Sequence, residues 1–281
     1  GCDTIIGVGG GKVIDTAKFA ANQAGLPVVI VPTAAASDAP CTALSVIYDE
    51  QGAFVESRRM HHNPDVVLVD TEILAAAPVR HLLSGMGDAF ATYYEARACE
   101  RSGADNFAGG QRCAAALALA ELCRDLLLQY GAAARESVEK KQWSEALEKV
   151  VEANIFLSGI GAENTGAGIA HAIYSGMTQV WQPFPVMHGE AVAYGLLVQL
   201  AAEYDEAGGV DRREWETVQQ FYRSVGLPLR LEQLNLAVDD TALHKLAEAT
   251  SKLPNAKKMP FTVTPELLYR ALVQVQTDTV G

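Results

Sequence analysis

The stretch DTIIGVGGGKVIDTAKFAANQAGLPVVIVPT, residues 3–33, decides how the first part of the chain folds. An apolar run through Ile5, Ile6 and Val8 predicts a strand. It ends on Gly9, Gly10 and Gly11, and from Lys12 to Ala24 the residues follow a helical pattern that Gly25 stops. LPVVIVPT then sets β-branched residues side by side ahead of Pro32, the signature of a buried parallel strand. Strand, glycine turn, helix and strand make a βαβ unit.

Working outward, SVIYDEQGAFVESRR (45–59) predicts a hairpin of two alternating runs joined across Asp49 to Gly52, and NPDVVLVD (63–70) predicts a third buried strand. From Thr71 onward alanine and leucine recur at helical spacing, broken by Gly or Pro at Gly103, Gly131, Gly208, Pro228 and Pro254. The fold class is therefore α/β plus all-α, with residues 1–74 forming a Rossmann-like parallel sheet with a hairpin and residues 75–281 a helical domain. The chain opens without Met, directly on a strand pattern. We expect from this that it is truncated and that part of the α/β domain lies upstream of Gly1.

Composition narrows the function classes. The 281 residues are 49% hydrophobic and 20% charged, enough apolar mass for a well-packed globular protein. A formal net charge of -12 opposes binding to nucleic acid or to an anionic membrane. The apolar runs are too short to cross a bilayer, and no charged-then-apolar leader opens the chain. Five cysteines without C-x-x-C spacing suggest neither a disulfide framework nor a zinc knuckle, and a cytoplasmic setting fits best.

Three stretches could carry chemistry. In GAGIAHAIYSGMTQVWQPFPVMHGEAVAYG (166–195), His171 sits in a helical window flanked by small residues, and His188 follows Pro183 and Pro185 at the start of an apolar helix. A lone histidine is more often a satisfied core residue than a ligand. A pair of imidazoles from neighbouring helices can instead converge on one cation, but two nitrogens alone hold a divalent metal poorly and a carboxylate should complete the set. Asp88 in LLSGMGDAFATYYEARA offers that carboxylate, and an N-cap is its alternative role. GVGGGKVID, by contrast, places glycines where backbone N–H groups and a helix N-terminus can meet an anion such as a pyrophosphate. The motif is neither Walker A, since Val13 follows Lys12, nor G-x-G-x-x-G, since Lys12 holds the third glycine's place; a tight strand-to-helix turn is the other reading. The third stretch, PTAAASDAPCTALSVIY, is a long loop of small and hydroxyl residues at the end of a parallel strand, where α/β proteins bind ligands, and Asp38 is its one charge.

Taken in order and spacing, GGGKVIDTAK, VPTAAASDAPCTALSVIY, NPDVVLVD, GMGDA, GAGIAHAI and MHGEAVAYG resemble the glycerol dehydrogenase branch of the metal-dependent alcohol dehydrogenases related to dehydroquinate synthase. The resemblance implies a catalytic Zn²⁺ on Asp88, His171 and His188. It places Gly9, Gly10, Gly11, Lys12 and Asp15 along the pyrophosphate of NAD, and Thr33, Ala34, Ala35, Ala36, Thr42, Leu44 and Tyr48 along the rest of the cofactor. It also makes Asp38 the contact to a substrate hydroxyl. The iron-dependent branch has a further histidine one helical turn after the metal-binding Asp; this chain has Thr92 there, which favours the three-ligand zinc type.

The reaction implied is oxidation of glycerol or a related vicinal diol to the ketone, dihydroxyacetone for glycerol, with the cation lowering the pKa of the substrate hydroxyl. A dehydroquinate synthase-type zinc lyase and a catalytically inactive zinc-binding remnant are the rivals. The partners expected are a small-molecule polyol and, because an incomplete sheet leaves apolar surface, further copies of the chain in a homo-oligomer.

Overall fold

The structure, a computed structural model, describes residues 1–48, 54–207 and 212–277. The elements run β1 (Ile5–Gly9), α1 (Gly11–Ala24), β2 (Val28–Pro32), β3 (Leu44–Tyr48), β4 (Phe54–Arg59), β5 (Val66–Val67), α2 (Thr71–Ala76), α3 (Val79–Ser102), α4 (Ala114–Glu139), α5 (Glu145–Glu152), α6 (Ser158–Thr165), α7 (Ile169–Val180), α8 (His188–Ala207), α9 (Arg212–Val225), α10 (Asp240–Ser251) and α11 (Pro265–Thr277). The βαβ unit forms as read: β1 and β2 pair in parallel, and α1 stops where Gly25 takes a left-handed φ of 63°. Its N–H then closes the last turn on Ala21.

The third strand departs from expectation. Only Val66 and Val67 pair with β2, and Val66 and Leu68 are 48% and 59% exposed, so NPDVVLVD is a short edge strand and not a buried one. The sheet, in the order β1-β2-β5, explains why. Its one face carries Val28 and Ile30 onto Ile14, Ala17 and Ala21 of α1, while Ile6 and Val8 on the other face stay exposed. The hairpin forms a separate antiparallel pair, β3 with β4, whose joint at Asp49 to Gly52 lies outside the described residues.

From Thr71 the chain is helical, with starts marked by local chemistry. Asp70 caps α2 by accepting from the N–H groups of Glu72 and Ile73, Ser144 caps α5, and Asp239 caps α10. Gly103 ends α3 at φ 73°. Gly131, expected to break a helix, lies inside α4 instead, because the missing side chain makes room for the Phe221 ring; an added Cβ would stand 2.9 Å from it. The break expected at Gly208 lies outside the described residues. Between α5 and α6 the helix widens to a π-turn over Ala153–Leu157.

The helices meet at very short range where the site is built. A Cβ on Gly87 of α3 would fall 2.3 Å from the carbonyl oxygen of Gly189 on α8, and a Cβ on Gly189 would fall 1.7 Å from the carbonyl oxygen of Ser84. The two backbones are thus in direct contact, and Asp88 and His188 are the chain neighbours of the two glycines. The contact is reinforced beside it: Arg80 of α3 makes a bidentate pair with Glu190, at 2.6 and 2.7 Å, and Ser84 Oγ accepts from the Gly189 N–H at 3.1 Å. Replacing Gly189 by Ala must push backbone against backbone, so G189A is expected to lower unfolding free energy by ~1–3 kcal/mol or more in denaturant titration. Gly10→Ala, whose added Cβ meets nothing within 4 Å, is the contrasting control and should change stability little. Equal stability of G189A and the unsubstituted chain would show that the tight crossing is dispensable.

Candidate metal and dinucleotide site

Asp88 is not an N-cap: it sits in the middle of α3, 1% exposed, where a helix interior offers its carboxylate no backbone N–H. His171 lies in the first turn of α7 and His188 opens α8, as the sequence suggested. The crossing of the three helices brings them together. Asp88 Oδ1 stands 3.3 Å from His171 Nε2 and 3.2 Å from His188 Nε2, and the three donor atoms lie within 4.8 Å of one another.

The residues fit a divalent cation on three counts. One carboxylate with two imidazoles is a donor set that zinc takes. Donor atoms about 2.0–2.1 Å from a tetrahedral ion lie about 3.3 Å apart, and the Asp88–histidine spacings match that. Finally, Asp88 Oδ2 is buried with no hydrogen-bond partner, a costly state for a carboxylate oxygen that a cation would relieve. His188 is the most exposed of the three, so the cluster opens on its side, beside Tyr174, whose ring meets the His188 imidazole edge-on at 4.4 Å, and Phe184 behind it.

Electrostatics follow from burial and proximity. Burial by itself would raise the Asp88 carboxyl, but the imidazoles of His188 and His171 override it and hold the group well below the usual carboxylate range. Burial would lower His171; Glu95 and Asp88 outweigh it and raise the imidazole well above its ordinary value. Asp38 goes the other way. Burial first, and then the negative charge of Asp88, push its carboxyl up to about 7.

The loop that carries Asp38 is ordered by residues the sequence reading missed. Lys18 of α1, 2% exposed, points inward and donates to the carbonyl oxygens of Ala39 (2.8 Å), Thr42 (3.3 Å) and Leu44, with Asp15 ion-paired to it at 3.4 Å. Asn154 Nδ2 donates to Ala35, Ser84 Oγ donates to Ala36, and Ser158 Oγ reaches Asp38 Oδ2 at 3.4 Å. Glu163 accepts from the Ala43 N–H. Thr92, in the place of the extra histidine, pairs its hydroxyl with Ser158 at 2.9 Å and stays out of the donor cluster. Glu95 carries a sequence signal of its own: seven residues after Asp88, it shares that residue's helix face.

The expected cofactor residues divide. Gly9, Gly10, Gly11 and Lys12 form the turn into α1, and the Thr33 N–H donates to Gly9 at 3.1 Å, so the loop residues Thr33, Ala34, Ala35 and Ala36 start beside it. Asp15 is turned away from solvent onto Lys18, Thr42 is buried in the loop, and Leu44 begins β3 with its side chain exposed. Tyr48 ends β3, and its side chain is outside the described set.

Residues 1–71 match the model of the iron-containing alcohol dehydrogenase family. The chain is 46% identical over 274 residues to a glycerol dehydrogenase of Escherichia coli O6:H1, covering 97% of itself and 73% of that protein. A glycerol dehydrogenase of Thermotoga maritima is 46% identical over 272 residues, 96% of the chain and 73% of that protein. The crystal structure of glycerol dehydrogenase from Schizosaccharomyces pombe superposes with a TM-score of 0.90 at 38% identity, over 98% of this chain and 69% of that one. The protein belongs to the iron-containing alcohol dehydrogenase family, in the company of its glycerol dehydrogenases. The chain spans about three quarters of the length of these glycerol dehydrogenases. No helix among the described residues is long and apolar enough to cross a membrane.

The raised Asp38 carboxyl carries a pH signature in protein stripped of metal. A carboxyl whose folded value lies above its ordinary 3.8 favours the folded state fully below that value, and the benefit is lost as pH rises through about 7. Asp38→Asn cannot ionise. Thermal melts of chelator-treated protein should therefore show D38N gaining on the unsubstituted chain from about pH 4 to about pH 8; a difference independent of pH would exclude a raised Asp38 carboxyl.

Proposed function

We propose that the protein is an NAD-dependent polyol dehydrogenase that oxidises glycerol or a related vicinal diol, giving dihydroxyacetone from glycerol, at a zinc ion held by Asp88, His171 and His188. The observation that carries the reading is the convergence of these three side chains, with an unpartnered buried oxygen on Asp88, in a chain whose relatives are named glycerol dehydrogenases. When bound, the cation would polarise a substrate oxygen and lower the pKa of its hydroxyl.

The chain's own residues supply the rest. Asp38, held by Ser158 and by the loop that Lys18 gathers, would accept a hydrogen bond from the neighbouring hydroxyl and so orient the diol. Tyr174 and Phe184 form an aromatic wall beside His188, against which a bound diol would rest at the open side of the cluster. Gly9, Gly10, Gly11 and Lys12 present the start of α1 to a pyrophosphate, and its backbone N–H groups and positive end suit that anion. Thr33, Ala34, Ala35 and Ala36 would flank it, and Thr42, Leu44 and Tyr48 would line the remainder of the cofactor's path. A homo-oligomer belongs to the same reading, supported by the apolar sheet face on which Ile6 and Val8 stay exposed.

The dehydroquinate synthase alternative uses NAD only transiently, so net NADH formation separates the two. Zinc-loaded protein given glycerol and NAD⁺ is expected to accumulate NADH, read by absorbance. His171→Ala should lose both bound zinc and turnover while keeping its far-ultraviolet circular dichroism. Zinc retained at full occupancy by H171A would refute the ligand assignment.

A further inference from the structure

We propose that Glu95 is the positioning residue of the metal site, fixing His171 in the one orientation and tautomer that leaves Nε2 available to a cation. The inference rests on Asp88, His171 and His188 being the ligands. It is carried by how α7 begins. Gly168 precedes the helix and has no side chain to cap it, so the first N–H groups are satisfied from other helices. Glu95 Oε1 on α3 accepts from the Gly168 N–H at 2.7 Å and the His171 N–H at 3.0 Å, and Gln199 Oε1 on α8 accepts from the Ala170 N–H at 3.2 Å.

The other oxygen of the same carboxylate, Oε2, stands 2.6 Å from His171 Nδ1. One side chain therefore holds both the backbone and the ring of His171. Glu95 is 1% exposed, so water cannot stand in for it. An ionised carboxylate only accepts, so Nδ1 must carry the proton. Nε2, the nitrogen facing Asp88 Oδ1 at 3.3 Å, is then the one with a lone pair to give. Carboxylate partners of this kind raise the basicity of a ligating histidine and fix its direction.

Glu95→Gln tests the tautomer with little change of shape. The amide oxygen can keep the two backbone N–H groups, but the amide NH₂ then faces Nδ1 and donates to it, which drives the ring proton to Nε2 and blocks coordination. Zinc titration of chelator-stripped protein against a competing chelator should show E95Q binding about 10–100-fold more weakly. Its metal-free melting temperature should stay close to that of the unsubstituted chain. Gln199→Met removes a cap of the same helix without touching the imidazole, and should lower the melting temperature while leaving zinc affinity in place.

Nuclear magnetic resonance of the zinc-loaded, ¹⁵N-histidine-labelled chain should show His171 protonated at Nδ1, with a downfield proton that E95Q lacks. An unprotonated Nδ1 in the unsubstituted chain overturns the proposal whether or not any variant folds. So does E95Q at undiminished affinity, or Q199M weakened as much as E95Q. His188→Ala separates the layers: if it retains zinc, the ligand set itself is wrong; if it loses zinc while E95Q does not, only the role of Glu95 falls.

Discussion

Two glycines, Gly87 on α3 and Gly189 on α8, let one helix backbone rest directly on another, and the site exists because of that contact. Any side chain at either position would overlap a carbonyl oxygen of the facing helix. With the axes this close, the residues next to the glycines, Asp88 and His188, reach each other at 3.2 Å from two different helices. The third helix, α7, is held to the same pair by Gly195 of α8, where a Cβ would lie 2.3 Å from the Ala170 carbonyl oxygen. The small residues thus set distances, and the polar residues beside them inherit those distances. Protein interiors are close-packed, so such a contact cannot be loosened by a fraction of an ångström without moving everything attached to it.

The charges gathered there form an unbalanced set. Two buried carboxyl groups, Asp88 and Glu95, meet two imidazoles, and a third, Asp38, is raised by the charge of Asp88. Part of the imbalance is relieved by protons: His171 holds its proton above the ordinary range, and Asp38 is pushed toward neutrality at about 7. Part is left, in the bare oxygen of Asp88. A divalent cation held by Asp88, His171 and His188 would answer both, since neutral imidazoles and a bare carboxylate oxygen are what such an ion needs as donors. The same physics accounts for Lys18, whose buried ammonium is tolerable because three carbonyl oxygens and Asp15 surround it. It acts as a fixed internal cation around which the loop that carries Asp38 folds.

Local rules made much of the chain readable. The glycine turn, the helix from it to Gly25 and the parallel strand after it follow from periodicity and from which residues tolerate which backbone angles, and these act over a few neighbours. The helical placement of His171 and of His188 was legible for the same reason. Where those rules misled, a tertiary partner had intervened. Gly131 does not break α4 because Phe221 fills the space beside it, and NPDVVLVD pairs over two residues only, at the edge of a sheet with one face uncovered. By sequence alone Asp88 suits a helix start as well as a metal, since its chain neighbours carry no clue to what crosses it.

The sequence by itself therefore determined the βαβ unit, the helical remainder and the residue types fit for a cation, because each depends on interactions between near neighbours in the chain. Only the tertiary structure decided that Asp88, His171 and His188 share a point, that Glu95 takes the back of one imidazole, and that Lys18 turns inward to gather a loop. Those outcomes depend on how closely helices distant in sequence approach, and that distance is set by packing at glycines whose importance appears only once the opposing backbone is in place.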